Sequence, residues 1–205
     1  MIGVVDYGMG NLGSVANALD FLNVPARILK GPEEMAACQA VILPGVGAFG
    51  DCMANLDHRG YLQPIREWIG ADRPFLGICL GLQVLGESSE ESPGVAGFGV
   101  LPSPIVKFQP TGLKVPQIGW NRVRRAPGRE LCPLFRGLPD GTYFYFVHSY
   151  YLPGVEGWNA GLTTYDVEYA SAVWQGHVAA VQFHPEKSQQ AGLQLLQNFV
   201  EWSVE

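Results

Sequence analysis

Apolar residues in the first eighty positions fall in short runs, at 2–6, 26–29, 40–43 and 74–78, in which Asp6 and Arg27 are the charged positions. A strand buried on both faces reads this way, because neither side of it meets water. Between the runs the spacing lengthens: Leu12, Val15, Leu19 and Leu22 share one face of a helix, and further helical segments lie around 51–56 and 61–69. Gly-rich turns, Tyr7-Gly8-Met9-Gly10-Asn11 and Pro44-Gly45-Val46-Gly47, follow the first and third runs, and a helix opens at 80–85 after the fourth. Apolar strands that each lead into a helix imply a mostly parallel sheet with helices on both faces. The polar, Gly-rich stretch 87–99 reads as a loop. Beyond it the pattern turns β-rich, at 105–108, 115–123, 142–151, 170–174 and 177–183, with Gln175-Gly176 as a hairpin signal between the last two. A closing helix over 189–202 places Leu193, Leu196, Phe199 and Val200 inward. The expectation is one α/β domain over 1–205, of flavodoxin-like type, with an antiparallel β extension.

Composition changes this picture only by exclusion. Of 205 residues, 47% are hydrophobic and 16% charged, which fits a packed globular chain and not a disordered one. The net charge of -6, without any Lys/Arg run, disfavours nucleic acid as a partner. No apolar stretch approaches the length of a membrane span, and the chain begins directly as a strand, so a soluble cytoplasmic protein is expected. The four cysteines, Cys38, Cys52, Cys79 and Cys132, show no Cys-x-x-Cys pair and no matching His spacing. Neither a disulfide framework nor a metal site is expected, and no cofactor motif is present.

Candidate chemistry begins at Gly77-Ile78-Cys79-Leu80-Gly81, where a strand runs straight into Gly-x-Cys-x-Gly and then a helix. That spacing fits a nucleophile elbow, a strained turn that lifts its central side chain above the sheet. Side chains in place of the flanking glycines would collide with the neighbouring strand or helix. Cys79 then sits at a helix N-terminus, which favours thiolate, and the Leu80 amide points where an oxyanion would form. Read alone, the pentapeptide equally fits a small buried cysteine that ends a core strand. The second constellation is His184-Pro185-Glu186 at the end of the last strand run. Pro185 stiffens the segment and biases His184 to an extended conformation, so that Glu186 can reach back to one imidazole nitrogen while the other faces a thiol.

Together these motifs resemble the class I (triad) glutamine amidotransferases. Asp6-Tyr7-Gly8-Met9-Gly10-Asn11-Leu12, Leu43-Pro44-Gly45-Val46-Gly47-Ala48-Phe49, Gly119-Trp120-Asn121, Tyr145-Phe146-Val147-His148-Ser149-Tyr150-Tyr151 and Gln182-Phe183-His184-Pro185-Glu186-Lys187-Ser188 are similar to the branch that serves imidazole glycerol phosphate synthase in histidine biosynthesis. The resemblance spans nearly the whole chain. It implies that Cys79 attacks the side-chain amide of glutamine, that His184 moves the proton, and that Glu186 holds the imidazole. It implies an oxyanion strand at Gly45, Val46 and Gly47, with Leu80, and glutamine binding by Gln83, Glu91, His148 and Ser149. It also implies a heterodimer with a (β/α)8-barrel cyclase subunit that receives the ammonia. Asn11, Gln117, Trp120, Tyr143, Tyr145 and Lys187 are the candidate rim of that interface, and no cofactor is implied.

One departure stands out: the family usually shows His where this chain has Gln117, which forms hydrogen bonds but does not titrate. Three other readings remain open at this point. They are a triad amidotransferase serving anthranilate or pyridoxal phosphate synthesis, a silent binding module on the same fold, and a stand-alone cysteine hydrolase.

Overall fold

The computed structural model describes residues 1–109 and 112–205. Strands β1 (Ile2–Val5), β3 (Ala40–Gly45) and β4 (Phe75–Cys79) are buried at every position, as their unbroken apolar runs require. With β2 (Ala26–Leu29) at the outer edge and β11 (Val178–Val181) beyond β4, they form five parallel strands. β11 is where the sheet changes sense. It runs parallel to β4 and antiparallel to β10 (Val167–Gln175), after which β9 (Asn159–Tyr165), β6 (Gln117–Arg125) and β7 (Thr142–His148) continue antiparallel. The order is β2-β1-β3-β4-β11-β10-β9-β6-β7, so the antiparallel part is a continuation of the parallel sheet and nearly as wide. A separate two-stranded piece pairs β5 (Val106–Lys107) with β8 (Tyr150–Tyr151).

Helices close both faces. α1 (Leu12–Phe21) and α5 (Gln189–Trp202) enclose one apolar cluster, which includes Val15, Leu19, Ile42, Ile78, Leu196 and Phe199. α2 (Phe49–His58), α3 (Leu62–Gly70) and the single turn α4 (Leu80–Gln83) enclose the other, which includes Val5, Leu43, Phe49, Ile65 and Leu80. Among the described residues no helix is long and apolar enough to cross a membrane.

The structure departs from the sequence pattern in three places that bear on the site. β9 has no apolar signature because its inward positions must be small: a Cβ on Gly161 would lie 2.8 Å from Val123 Cγ1 and 3.1 Å from the Cβ of Ala172. The expected helix over 80–85 stops after one turn, so little macrodipole stands behind Cys79, and only the free amides of that turn remain to act on it. The stretch 142–151 divides at Ser149, where the chain leaves β7 for β8 and brings His148 and Ser149 to the mouth of a cavity. In α5 the bounds agree with the sequence pattern, but Leu195 and Trp202 join Leu196 and Phe199 in full burial while Leu193 and Val200 sit at the margin.

Candidate active site

Cys79 ends β4 and begins α4 with φ +57° and ψ −105°, a conformation that costs a non-glycine residue about 1–3 kcal/mol. The glycines around it are there for space. A Cβ on Gly77 would come 2.5 Å from the Gly81 carbonyl oxygen and 3.0 Å from the Cβ of Ala180 on β11. A Cβ on Gly81 would lie inside the van der Waals shell of the Leu43 carbonyl oxygen on β3. Strand and helix therefore meet closely enough to turn the thiol out over the end of the sheet. The collision foreseen from the sequence is found at both positions.

His184 follows β11, parallel neighbour of β4, and thus arrives beside Cys79 by sheet topology. Its amide donates to the Tyr145 carbonyl at 2.9 Å and its carbonyl accepts from the Ser188 hydroxyl at 2.6 Å, which fix the backbone. Nδ1–H donates to Glu186 Oε1 at 2.8 Å, with the two side chains 2% and 1% exposed. Since a carboxylate only accepts, this bond sets the tautomer and leaves Nε2 without a proton for a neutral ring. Nε2 is buried and closes no hydrogen bond of ordinary geometry among the described residues, and the ring is acted on by the Cys79 thiol. Burial works against the imidazolium, yet Cys79 and Glu186 together outweigh it and raise the His184 pKa to about 10. A thiol beside an imidazole that a carboxylate orients is the arrangement a thiol nucleophile needs.

Gln182 belongs with this group, and sequence reasoning passed over its side chain. It lies two residues before His184, hence on the same side of an extended segment, and donates from Nε2 to Cys79 Sγ at 3.7 Å. Gln83 donates to Gln182 Oε1 at 3.1 Å and to the Tyr150 carbonyl at 2.9 Å. Gln83 therefore steadies the donor on the sulfur as well as lining the site.

The cavity above the thiol has a volume of about 330 Å³ and is lined by Cys79, His184, Val46, Gly47, Leu80, Gln83, Glu91, His148 and Ser149 among others. All four candidate substrate-binding residues are thus brought to one place from three stretches of chain. Gly45, opposite Cys79 in the β3–β4 register, lies just behind this lining. Gly47 adopts φ +95°, open to glycine, and a Cβ there would lie 2.5 Å from Met9 Cε. Glu91 accepts from the Phe49 amide at 2.7 Å, so it also ties the loop 87–99 to the first residue of α2, just past the candidate oxyanion strand.

His148 donates from Nδ1 to the Tyr150 carbonyl at 2.8 Å, and its Nε2 lies 3.2 Å from the Tyr169 hydroxyl. Burial, with a smaller contribution from His184, outweighs the Tyr150 carbonyl and lowers the His148 pKa to about 4, so the ring is neutral near pH 7. Tyr169 in turn bonds Gln117 Oε1 at 3.0 Å. Gln117 is only 3% exposed, which places it inside the protein and away from the rim where the sequence reading put it. An amide in that place accepts and donates without adding a second ionisable ring beside His148.

The other rim candidates do face outward. Trp120 and Tyr143 are 46% and 48% exposed, Lys187 is exposed, and Asn11 and Tyr145 are half-buried. Trp120 pairs with Tyr145 across β6 and β7, their rings 6.2 Å apart, and Ile118, two residues before Trp120, adds a 63% exposed side chain that was not singled out in the sequence. This apolar face adjoins the catalytic group, because the Tyr145 backbone bonds both His184 and Ser188.

Residues 4–202 match the family model described as glutamine amidotransferase class-I. An imidazole glycerol phosphate synthase subunit HisH from Moorella thermoacetica is 52% identical over 202 residues, covering 98% of this chain and 94% of that protein. The subunit of the same name from Desulfitobacterium hafniense (strain DSM 10664 / DCB-2) is 48% identical over 203 residues, with the same coverages of 98% and 94%. Among solved structures, one described as a glutamine amidotransferase superposes with a TM-score of 0.77 at 19% identity, covering 100% of this chain and 99% of that one. PurLQS from Thermotoga maritima superposes with a TM-score of 0.75 at 17% identity over 98% and 97% of the two chains, and at such identity both likenesses speak to the fold alone.

Proposed function

This chain belongs to the class-I glutamine amidotransferase family, and on that premise we propose that it is the glutaminase subunit of an imidazole glycerol phosphate synthase. It hydrolyses glutamine to glutamate and ammonia and hands the ammonia to a cyclase subunit, which makes imidazole glycerol phosphate and an aminoimidazole carboxamide ribotide in histidine biosynthesis. The observation that carries the reading is the buried Cys79–His184–Glu186 group beneath a cavity whose walls come from the turn after β3, α4, the end of β7 and the loop 87–99.

The chemistry follows from the geometry. The Cys79 proton passes to His184 Nε2, and Sγ attacks the carboxamide carbon of glutamine. The oxygen that becomes negative is met by the Leu80 amide and by amides at the end of β3, in the segment Gly45–Val46–Gly47. His184 then protonates the departing nitrogen, ammonia leaves, and a glutamyl thioester remains. Water attacks the thioester, its proton taken by His184, to give glutamate and the free thiol. Throughout, Glu186 holds the ring by Nδ1–H and offsets the positive charge that forms on it.

Ammonia released to bulk water would be protonated and lost as a nucleophile, so the partner must cover the exit. The face of Ile118, Trp120, Tyr143 and Tyr145 beside His184 suits that contact, with aromatic area at its centre and Arg122 and Lys187 around it. The proposed partner is a (β/α)8-barrel cyclase in a cytoplasmic heterodimer. The test is glutamate release by the purified chain, alone and with the cyclase subunit and its nucleotide ligand. A large increase on adding both is expected, and none with Cys79→Ala. Strong activity without a partner would refute the coupled-subunit reading, and turnover by Cys79→Ala would refute the chemistry.

A further inference from the structure

Three strand ends meet at the carboxyl edge of the parallel sheet. Val4 is paired with Ile42, so the chain leaving β1 brings Tyr7 alongside the end of β3, and Gly45 there lies opposite Cys79. Tyr7 is fully buried on the face covered by α2, α3 and α4. A Cβ on Gly45 would lie 2.8 Å from the Tyr7 hydroxyl, 2.7 Å from the Cβ of Leu80 and 3.1 Å from the Gly81 amide nitrogen. The hydroxyl therefore rests against the Gly45 backbone where the end of β3 passes the first turn of α4. Its polar neighbour is the buried Cys52 thiol, a weak partner that it contacts side chain to side chain, and among the described residues it closes no hydrogen bond of ordinary geometry. Hydroxyls buried this deeply are normally bonded, and leaving one unspent is unfavourable. Phenylalanine would fill the same space without that cost.

We infer that the Tyr7 hydroxyl is a positioning group for the oxyanion strand, a buried donor kept for the Gly45 carbonyl when the Gly45–Val46 peptide turns its N–H toward the substrate oxyanion. The inference rests on the glutaminase reading above. In a planar trans peptide the N–H and C=O point in opposite directions, so an N–H turned into the cavity turns its C=O away from it. Val46 and Gly47 line the cavity; Tyr7 does not, and sits on the side of Cys52 and α4. A carbonyl turned from the cavity thus meets a donor engaged by nothing stronger than the Cys52 thiol, and the bond it gains favours the arrangement that stabilises the tetrahedral intermediate. Gly45, with no side chain to wedge against Leu80, leaves the peptide free to rotate.

The test is Tyr7→Phe, assayed as glutamine hydrolysis with the cyclase partner and its nucleotide bound. The variant should lose about tenfold in kcat with an unchanged KM for glutamine. Its thermal midpoint should equal or exceed that of the wild type, and Cys79 should react with iodoacetamide at the wild-type rate. An unchanged kcat overturns the inference. So does a fall in kcat matched by slower alkylation, which would put the hydroxyl's effect on the thiol, or by a lowered midpoint, which would make it packing. A wild type that releases no glutamate removes the glutaminase reading itself, whereas an active wild type beside an equally active Tyr7→Phe removes only the role of Tyr7.

Discussion

Replacing Glu186 with glutamine isolates one charge in the catalytic group. The carboxylate is 1% exposed and accepts from His184 Nδ1 at 2.8 Å, so glutamine can keep the acceptor, the shape and the ring orientation. What it removes is the attraction between the carboxylate and the imidazolium. With charge centres about 4 Å apart and an effective dielectric constant of about 20, that attraction is about 4 kcal/mol, or roughly a thousandfold in rate. Because the hydrogen bond survives, a kcat loss of about 10²–10³ is expected, with KM for glutamine nearly unchanged. The acid–base consequence has a definite sign. Glu186 helps raise the His184 pKa, so its loss lowers the pH at which the imidazolium gives up its proton, and alkylation of Cys79 at pH 7 should slow. Folding should not suffer, since Glu186 Oε2 is buried without a partner among the described residues and its desolvation is relieved by a neutral amide. The assay is steady-state glutamate release in the complex, together with the pH profile of iodoacetamide inactivation. A kcat within threefold of the wild type would make Glu186 a merely structural carboxylate and refute the reasoning.

Three further outcomes are expected. Gly81→Ala forces a Cβ into the Leu43 carbonyl of a central strand, which backbone cannot yield cheaply; a loss of more than about 3 kcal/mol in urea unfolding is expected, and near-wild-type stability would show that the elbow relaxes. His148, with a folded pKa of about 4 against about 6.5 when unfolded, binds a proton more readily in the unfolded chain. Its contribution to stability is therefore present above about pH 6.5 and lost as pH falls toward 4, by up to about 3 kcal/mol, and urea unfolding at pH 7 and pH 5 should show a slope that His148→Gln flattens. Trp120→Ala on the half-exposed face should weaken cyclase binding at least tenfold by calorimetry while leaving the thermal midpoint within about 2 °C; equal affinity would move the interface elsewhere.

Residue order alone was sufficient wherever the cause is local. The inner parallel strands β1, β3 and β4 were legible because strands buried on both faces must be apolar throughout, whereas edge strand β2 is exposed at three of its four positions. The elbow was legible by its Gly-x-Cys-x-Gly spacing, although the contacts that exclude a Cβ there come partly from Leu43 and Ala180 on the neighbouring strands, and the His184–Glu186 pair was legible because two residues of Pro-stiffened chain decide its geometry. Tertiary structure decided what depends on distant neighbours. β9 escaped notice because Val123 and Ala172 leave its Gly161 no room for an apolar side chain. Gln117 looked like a rim residue until Tyr169 and His148, from two other strands, enclosed it. Gln182 became part of the site only through β11 lying beside β4, and Tyr7 only through β1 lying beside β3. Periodicity and motif spacing record which side of an element a residue takes; which strand lies next to which is settled by packing between segments a hundred residues apart, and the environment of the thiol depends on that.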